Sequence, residues 1–309
     1  MLNKSTRDGF GEGLLEAARQ NKNVVVVSAD LAESLRVLPF AKKYPHRFIE
    51  VGVAEQNAAG VSTGLALSGK IPYLASFSVF SPGRNWDQIR VGICYSRANV
   101  KIVGSHAGLS TGEDGASHQA LEDIAIMRVL PEMTVIQPAD FIEAKKATLA
   151  ISQIKGPVYL RLTRQNSPLL TTTQSRFVIG QANILKSGTD VTIIGCGPIL
   201  HEAILAAQEL AKQNINPEII NCHTIKPLDK QTILKSVKKT GRVVTIEDHQ
   251  IAGGLGSAIA EMLSQEYPVP VKIIGVQNTF GESGATQELW DKYQISSQYI
   301  VEGVLKILK

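Results

Sequence analysis

The apolar residues of this chain fall into short unbroken runs separated by stretches with a helical period. The first stretch, 6–20, places Phe10, Leu14, Ala17 and Ala18 on one side and predicts a helix. A continuous apolar run follows at 23–27, the pattern of a strand buried on both faces of a parallel sheet. A second strand is predicted over 47–53, carrying Phe48, Ile49, Val51 and Val53. It leads into a helix of small residues, Ala58, Ala59, Gly60, Gly64 and Ala66. Further strands are predicted at 71–76, 99–104, 133–136 and 157–162, and intervening helices at 85–95, 120–129 and 141–151. The polar, less regular stretch 171–187 reads as a linker. Beyond it the alternation restarts, with strands at 190–195, 217–221, 243–247 and 271–276 and a helix over about 199–213. Strand runs alternating with helices require sheets covered on both faces. The predicted fold is therefore α/β in two domains, 1–172 and 173–309, each a mostly parallel sheet between helices, with the boundary near 170–188.

Composition narrows the class. With 309 residues the chain is long enough for two domains with full cores. The net charge of +4 is mild and the charges are interspersed, which does not favour nucleic acid. No apolar run reaches membrane-spanning length, and the N-terminus carries no signal-peptide core. Cys94, Cys196 and Cys222 are widely spaced and odd in number. They fit neither a disulfide framework nor a zinc site, so a reducing cytoplasm is expected.

The chemistry-bearing residues gather at predicted strand ends. Glu55 stands in the first turn of the small-residue helix. An exposed Glu there would only complement the helix dipole. Its Ala, Gly and Val neighbours instead suggest a tight, mostly apolar crevice, where a carboxyl group holds a proton near neutral pH. Asp30 and Ser34 follow the 23–27 strand, where ligands collect in parallel sheets, although taken alone turn and capping roles account for both slightly better. Phe77 and Phe80, just past a strand, offer either a flat wall for a ring or ordinary core. The loop 105–119, Ser-His-Ala-Gly-Leu-Ser-Thr-Gly-Glu-Asp-Gly-Ala-Ser-His-Gln, is long, polar and rich in glycine. Loops of that length usually carry function. Its His106 and His118 have the chemistry to move protons or bond hydroxyls. No His-x-x-x-His pair lies on a helix face, so a metal site is not favoured. Arg164, at the end of 157–162, suits a phosphate or carboxylate clamp or a surface ion pair. Gly195-Cys196-Gly197 and Gly253-Gly254-Leu255-Gly256 do not complete a dinucleotide fingerprint in context, since position 200 is Leu and the second cluster opens a helix without the strand-to-turn glycine fingerprint before it.

Taken together, Gly52-Val-Ala-Glu-Gln-Asn, Ser28-Ala-Asp-Leu, Gly112-Glu-Asp-Gly-Ala-Ser-His-Gln and Leu162-Thr-Arg-Gln resemble transketolase. The resemblance covers essentially the whole chain but only two of that family's domains, the pyrimidine-binding and C-terminal ones. The family's diphosphate-binding domain carries Gly-Asp-Gly followed by paired Asn, which hold magnesium and the tail of thiamine diphosphate; this chain has no Gly-Asp-Gly. It thus resembles the C-terminal subunit of a split transketolase. The resemblance implies that Mg2+ is held by an N-terminal partner subunit, and that two copies of this chain pair as a dimer within an α2β2 assembly.

The resemblance also implies roles. Glu55 matches the acid that protonates N1′ of the cofactor's aminopyrimidine, Phe77 and Phe80 the wall on which that ring stacks, and Asp30 an acid near the cofactor. His106 and His118 match residues that bind the ketose and help move protons, and Asp114 one that orients a hydroxyl. Arg7, Ser34 and Arg164 match the sugar-phosphate anchors, Arg7 by spacing alone. The implied activity is transfer of a two-carbon ketol unit from a ketose phosphate to an aldose phosphate. The C-terminal part of deoxyxylulose phosphate synthase shares the Glu motif, but there the strand usually ends Arg-x-Pro-Arg, whereas here it is Arg161-Leu-Thr-Arg164-Gln165. The β subunit of 2-oxoacid dehydrogenases shares the Glu without this His-bearing loop. A non-catalytic scaffold is the remaining alternative, against which the intact Glu55, His106, His118 and Arg164 stand.

Overall fold

The computed structural model describes residues 3–309. Val24–Ser28 is buried throughout and lies inside a seven-stranded sheet. Across that sheet the order is Thr224–Lys226, Thr134–Ile136, Val158–Arg161, Lys101–Ser105, Ile71–Phe77, Val24–Ser28 and Phe48–Glu50. All neighbours are parallel except the first pair. Register aligns the carboxyl ends: Ser28 pairs with Ala75, Phe77 with Ser105, and Gly104 with Arg161. The residues just beyond these strands therefore meet along one edge, where α/β sheets bind ligands.

Helix Thr6–Gln20 covers one face against helix Phe141–Gln153. Gly9 makes the close approach possible, because a Cβ there would strike the Phe141 carbonyl. Ser5 and Asp8 form a reciprocal capping box at its start, which ties down two of the otherwise unpaired N–H groups. Helix Glu55–Leu67 covers the other face, packed near Trp86–Gln88 and the wider-wound Ile89–Tyr95 that continues it. The expected single helix over 85–95 is thus one α-turn followed by π-winding.

The second sheet runs Val271–Val276, Val243–Gln250, Val191–Gly195, Pro217–Asn221 and Asn183–Lys186, parallel except for the last. Both sheets are mostly parallel, as the apolar runs required. The stretch 171–187 is not all linker, since Asn183–Lys186 adds an antiparallel edge strand. Being an edge strand of mixed polarity, it has no apolar run to announce it. Thr224–Lys226 crosses back to pair with Thr134–Ile136, so the C-terminal half contributes a strand to the first sheet. One apolar cluster joins the halves, with Leu74, Ile102 and Met127 packed in the same core as Cys196, Ile220 and Leu255. Among the described residues no helix is long and apolar enough to cross a membrane.

Candidate active site

Glu55 opens its helix and is 5% exposed. It is not in an apolar crevice. Arg84 Nη1 donates to its Oε1 at 2.9 Å, and Asn85 Nδ2 donates to its main-chain carbonyl. The Arg84 guanidinium in turn lies 4.0 Å over the ring of Phe80. The carboxylate is therefore paired with a cation rather than isolated among Ala, Gly and Val. The cause is tertiary: the chain beyond Ile71–Phe77 folds back over the helix start and brings Arg84 to Glu55.

Phe77 and Phe80 stack with centroids 5.9 Å apart and planes at 19°. His106 stacks on Phe77 at 3.8 Å, and His118 presents its edge to both phenylalanines. Phe77 is buried with a face covered by His106, so the half-buried Phe80 is the ring nearer the opening. His106 itself is held in the left-handed region at φ 57, a costly conformation for a non-glycine residue and one that clusters at functional sites. Its Nε2 faces Arg7 Nη1 at 3.4 Å and its Nδ1 faces Ser105 Oγ at 3.1 Å. Since a guanidinium only donates, Nε2 accepts and Nδ1 carries the hydrogen. Burial, reinforced by Arg7 and Arg164, pushes the imidazole down to about 3, so His106 is neutral at physiological pH.

The cationic rim adjoins this ring cluster. Arg7 Nη1 donates to the Ser34 carbonyl at 3.0 Å, while its buried Nε has no partner. It is thus the backbone of Ser34, not its hydroxyl, that holds Arg7. Arg164 Nη1 is shared by the Thr111 carbonyl, Glu113 and Asp114, at 3.1–3.3 Å. Arg7 is pushed below its usual range by burial, then by Arg36 and Arg164, which places it in the field of both cations. Arg36, bonded to Asp8 at 2.7 Å, was not singled out from the sequence. Its position two residues beyond Ser34 was the available signal. Asp30 is exposed at φ 59 and no hydrogen bond or ion pair joins its carboxylate to this group among the described residues. Its amide donates to Glu50, which also receives Gly52 N–H. Glu50, likewise missed, ties the Asp30 turn to the one that delivers Glu55. The structure thus gathers Arg7, Phe77, Phe80, His106, Asp114, His118 and Arg164 beside one another, with Glu55 joined to them through Arg84 and Phe80 and Asp30 apart.

A doubly covered parallel sheet whose strand ends carry a buried carboxylate, stacked aromatic rings and a cationic rim has the makings of a cofactor-dependent enzyme acting on an anionic substrate. Residues 3–168 match the family described as "Transketolase, pyrimidine binding domain", and residues 180–300 match "Transketolase, C-terminal domain". The "Putative transketolase C-terminal section" of Methanocaldococcus jannaschii is 43% identical over 309 residues, covering 99% of this chain and 97% of the relative. The "6-deoxy-6-sulfo-D-fructose transketolase subunit SqwH" of Clostridium sp. is 42% identical over 301 residues, covering 97% and 94%. A solved structure described as "Split gene transketolase, inactive beta4 tetramer" matches with TM-score 0.92 and 43% identity over 98% of each chain. The chain belongs to the transketolase family, whose pyrimidine-binding domain marks it as thiamine-diphosphate dependent. In extent it corresponds to the C-terminal subunit of a split transketolase.

Proposed function

We propose that this chain is the pyrimidine-binding half of a two-chain transketolase that moves a two-carbon ketol unit from a ketose phosphate to an aldose phosphate. The observation that carries the reading is the arrangement Glu55–Arg84–Phe80. A planar, N–H-bearing group lies over Phe80 while donating to a buried carboxylate at 2.9 Å. An aminopyrimidine has the same needs, a flat ring and an acid at one nitrogen, so the residues fit that part of thiamine diphosphate. When bound, the cofactor supplies the nucleophilic carbon that accepts and releases the ketol unit. Glu55 would hold a proton at N1′ of its pyrimidine in place of the bond from Arg84, and Phe80, with Phe77 stacked behind it, would wall the ring. The neutral His106 donates from one ring nitrogen and accepts at the other, as hydroxyl and carbonyl recognition requires. His118 and Asp114 orient sugar hydroxyls. Arg7, Arg164 and the Ser34 turn would receive the phosphate, and Asp30, outside this group, would approach the cofactor only through the turn that Glu50 ties to Gly52.

The diphosphate and Mg2+ belong, in this reading, to the N-terminal subunit, and two copies of each chain form an α2β2 assembly. An open face on and beside the Glu55 helix supports a covering chain. Val53, Leu67, Val91 and Tyr95 are 68, 66, 48 and 88% exposed. A Cβ at Gly60 or Gly64 would meet nothing within 4 Å. Glycine inside an exposed helix costs about 1 kcal/mol relative to alanine, a cost with a purpose when another backbone must come close. We place the division between the two domains at 172/173 and the enzyme in the cytoplasm, consistent with three free, buried cysteines.

The test is to mix this chain with an N-terminal transketolase chain carrying the diphosphate-binding domain, add Mg2+ and thiamine diphosphate, and assay a ketopentose phosphate donor with an aldopentose phosphate acceptor. Ketol transfer by the mixture and by neither chain alone is expected; an inactive mixture counts against the reading. A sulfonate-bearing ketose is a second donor to try, because a relative at 42% identity is named for one and a guanidinium rim accepts either anion.

A further inference from the structure

We propose that Asp248, contributed by the C-terminal domain, is a positioning residue of the active site: its carboxylate holds the loop that carries His106, Asp114 and His118. Asp248 lies near the end of strand Val243–Gln250 and is 3% exposed. Its Oδ1 accepts from Leu109 N–H at 2.8 Å. Its Oδ2 accepts from Ser110 N–H at 3.1 Å and from Trp290 Nε1 at 3.2 Å. Leu109 and Ser110 open the tightly wound segment Leu109–Asp114, where the first N–H groups have no partner within the segment. A carboxylate from the other domain supplies the missing acceptors. Gly108 permits the approach: it sits at φ 80, and a Cβ there would strike the carboxylate of Asp248.

The remainder of the loop is gripped from the same side. Gln119 Nε2 donates to the Glu282 carbonyl at 2.9 Å, and a Cβ on Gly115 would run into Ser283. Arg161 fixes the strand that bears Asp248, donating from Nη2 to the Asp248 and Ala120 carbonyls, both at 3.1 Å. The consequences reach the site through the backbone. Thr111 Oγ1 donates to the His106 carbonyl at 2.6 Å, and the Thr111 carbonyl receives Arg164 at 3.1 Å. Releasing Leu109 and Ser110 therefore frees both the strained His106 that stacks on Phe77 and the anchor of Arg164. No hydrogen bond joins Asp248 to Glu55, whose carboxylate and carbonyl are held by Arg84 and Asn85 of its own domain, and the loop reaches the phenylalanines only through the rings of His106 and His118. The C-terminal domain thus acts first on the sugar end of the site and reaches the cofactor end only through those ring contacts.

Two variants test this. In Asp248→Asn one oxygen becomes an NH2 group facing a loop N–H, and Trp290→Phe removes the third donor to the carboxylate while keeping an aromatic ring in the core. Amide hydrogen exchange is measured on the isolated chain. The expected result is exchange across 106–119 about tenfold faster in Asp248→Asn and about threefold faster in Trp290→Phe, the size set by one lost bond to a charged acceptor, with helix Glu55–Leu67 unchanged. In the reconstituted enzyme, donor-sugar KM should rise about tenfold while the KM for thiamine diphosphate stays within about twofold. Unchanged loop exchange in either folded variant overturns the proposal. So does exchange that rises equally in helix Glu55–Leu67, or a cofactor KM that rises with the sugar KM, since either makes Asp248 a general stabiliser. The KM arm rests on the transketolase reading; the exchange arm needs no activity, so an inactive mixture would sink that reading and leave the loop result standing.

Discussion

Arg161 and Arg164 stand close together at the end of one strand and are used in opposite ways. Arg161 is fully buried. Its Nε and Nη2 meet the two oxygens of Asp123 at 2.7 and 3.0 Å, and Nη2 also reaches the Ala120 and Asp248 carbonyls. Asp123 is tied further by the Tyr159 hydroxyl at 2.7 Å, and Arg161 holds its carboxyl below the usual carboxylate range despite complete burial. Arg164, with its side chain 36% exposed, divides one nitrogen among a carbonyl and two acids at the surface. A buried pair offsets its desolvation only with a nearly complete set of partners, and once made it cannot be exchanged cheaply. An exposed cation with long, competing contacts loses little by changing partners. The domain seam is thus built on a buried charge pair in which only Nη1 of Arg161 lacks a partner, and the rim of the candidate site on exposed charges whose partners exchange at little cost.

The largest effect that probes this contrast is on the buried side. Arg161→Met leaves Asp123 without its partner in the seam and should cost about 3–5 kcal/mol of stability by urea unfolding, the usual penalty for breaking a buried pair from one side. Wild-type stability would erase the contrast. Arg164→Ala should stay within about 0.5 kcal/mol of wild type in the same experiment, as exposed ion pairs do. In the reconstituted enzyme it should raise the KM for the phosphosugar about tenfold with kcat largely kept. A fall in kcat alone would mean that Arg164 acts on the reacting atoms instead.

The pH dependence of stability gives a smaller signal. His106, His223 and His249 are buried and pushed down to about 3, 4 and 4 from an ordinary 6.5. Their neutral forms contribute stability that is complete above about 6.5 and is lost as pH falls toward those lowered values. Glu143 and Glu247 are raised by burial to about 7, and their contribution runs the other way: it is present below about 4.5 and lost as pH rises through 7. Three histidines against two glutamates leave a shallow net loss as pH falls from about 6.5 to 4.5, which should steepen just below about 4.5, where the glutamates no longer oppose it. For His106 itself, the imidazole 13Cε1 signal should keep its neutral position from pH 8 to pH 5. A midpoint near 6.5 would show that its burial beside Arg7 has been misjudged.

What local pattern dictates was readable along the chain. Pro217–Asn221 and Val271–Val276 form at the expected bounds because apolar runs needing cover on both faces have few alternatives. Asn183–Lys186 and Thr224–Lys226 were missed for physical reasons: one is an edge strand of mixed polarity, and the other exists only because it pairs across the two halves. The same divide runs through the site. His106, His118, Asp114, Phe77 and Phe80 share two loops, and the structure places them together. Arg84 lies far along the chain from Glu55, so nothing local marks it as that carboxylate's partner. Arg36 and Asp248 likewise act through packing that no motif records.

The most direct measurement of the central claim, that Glu55 is the acid which activates the cofactor's aminopyrimidine, is the exchange of the thiamine diphosphate C2 proton, followed by NMR, in Glu55→Gln reconstituted with its N-terminal partner. Gln keeps the shape and an acceptor for Arg84 but cannot exchange a proton with N1′. The account predicts a folded complex that still binds cofactor and exchanges that proton about 10²–10⁴-fold more slowly than wild type, the range for removal of a catalytic acid or base. Exchange at the wild-type rate would contradict it.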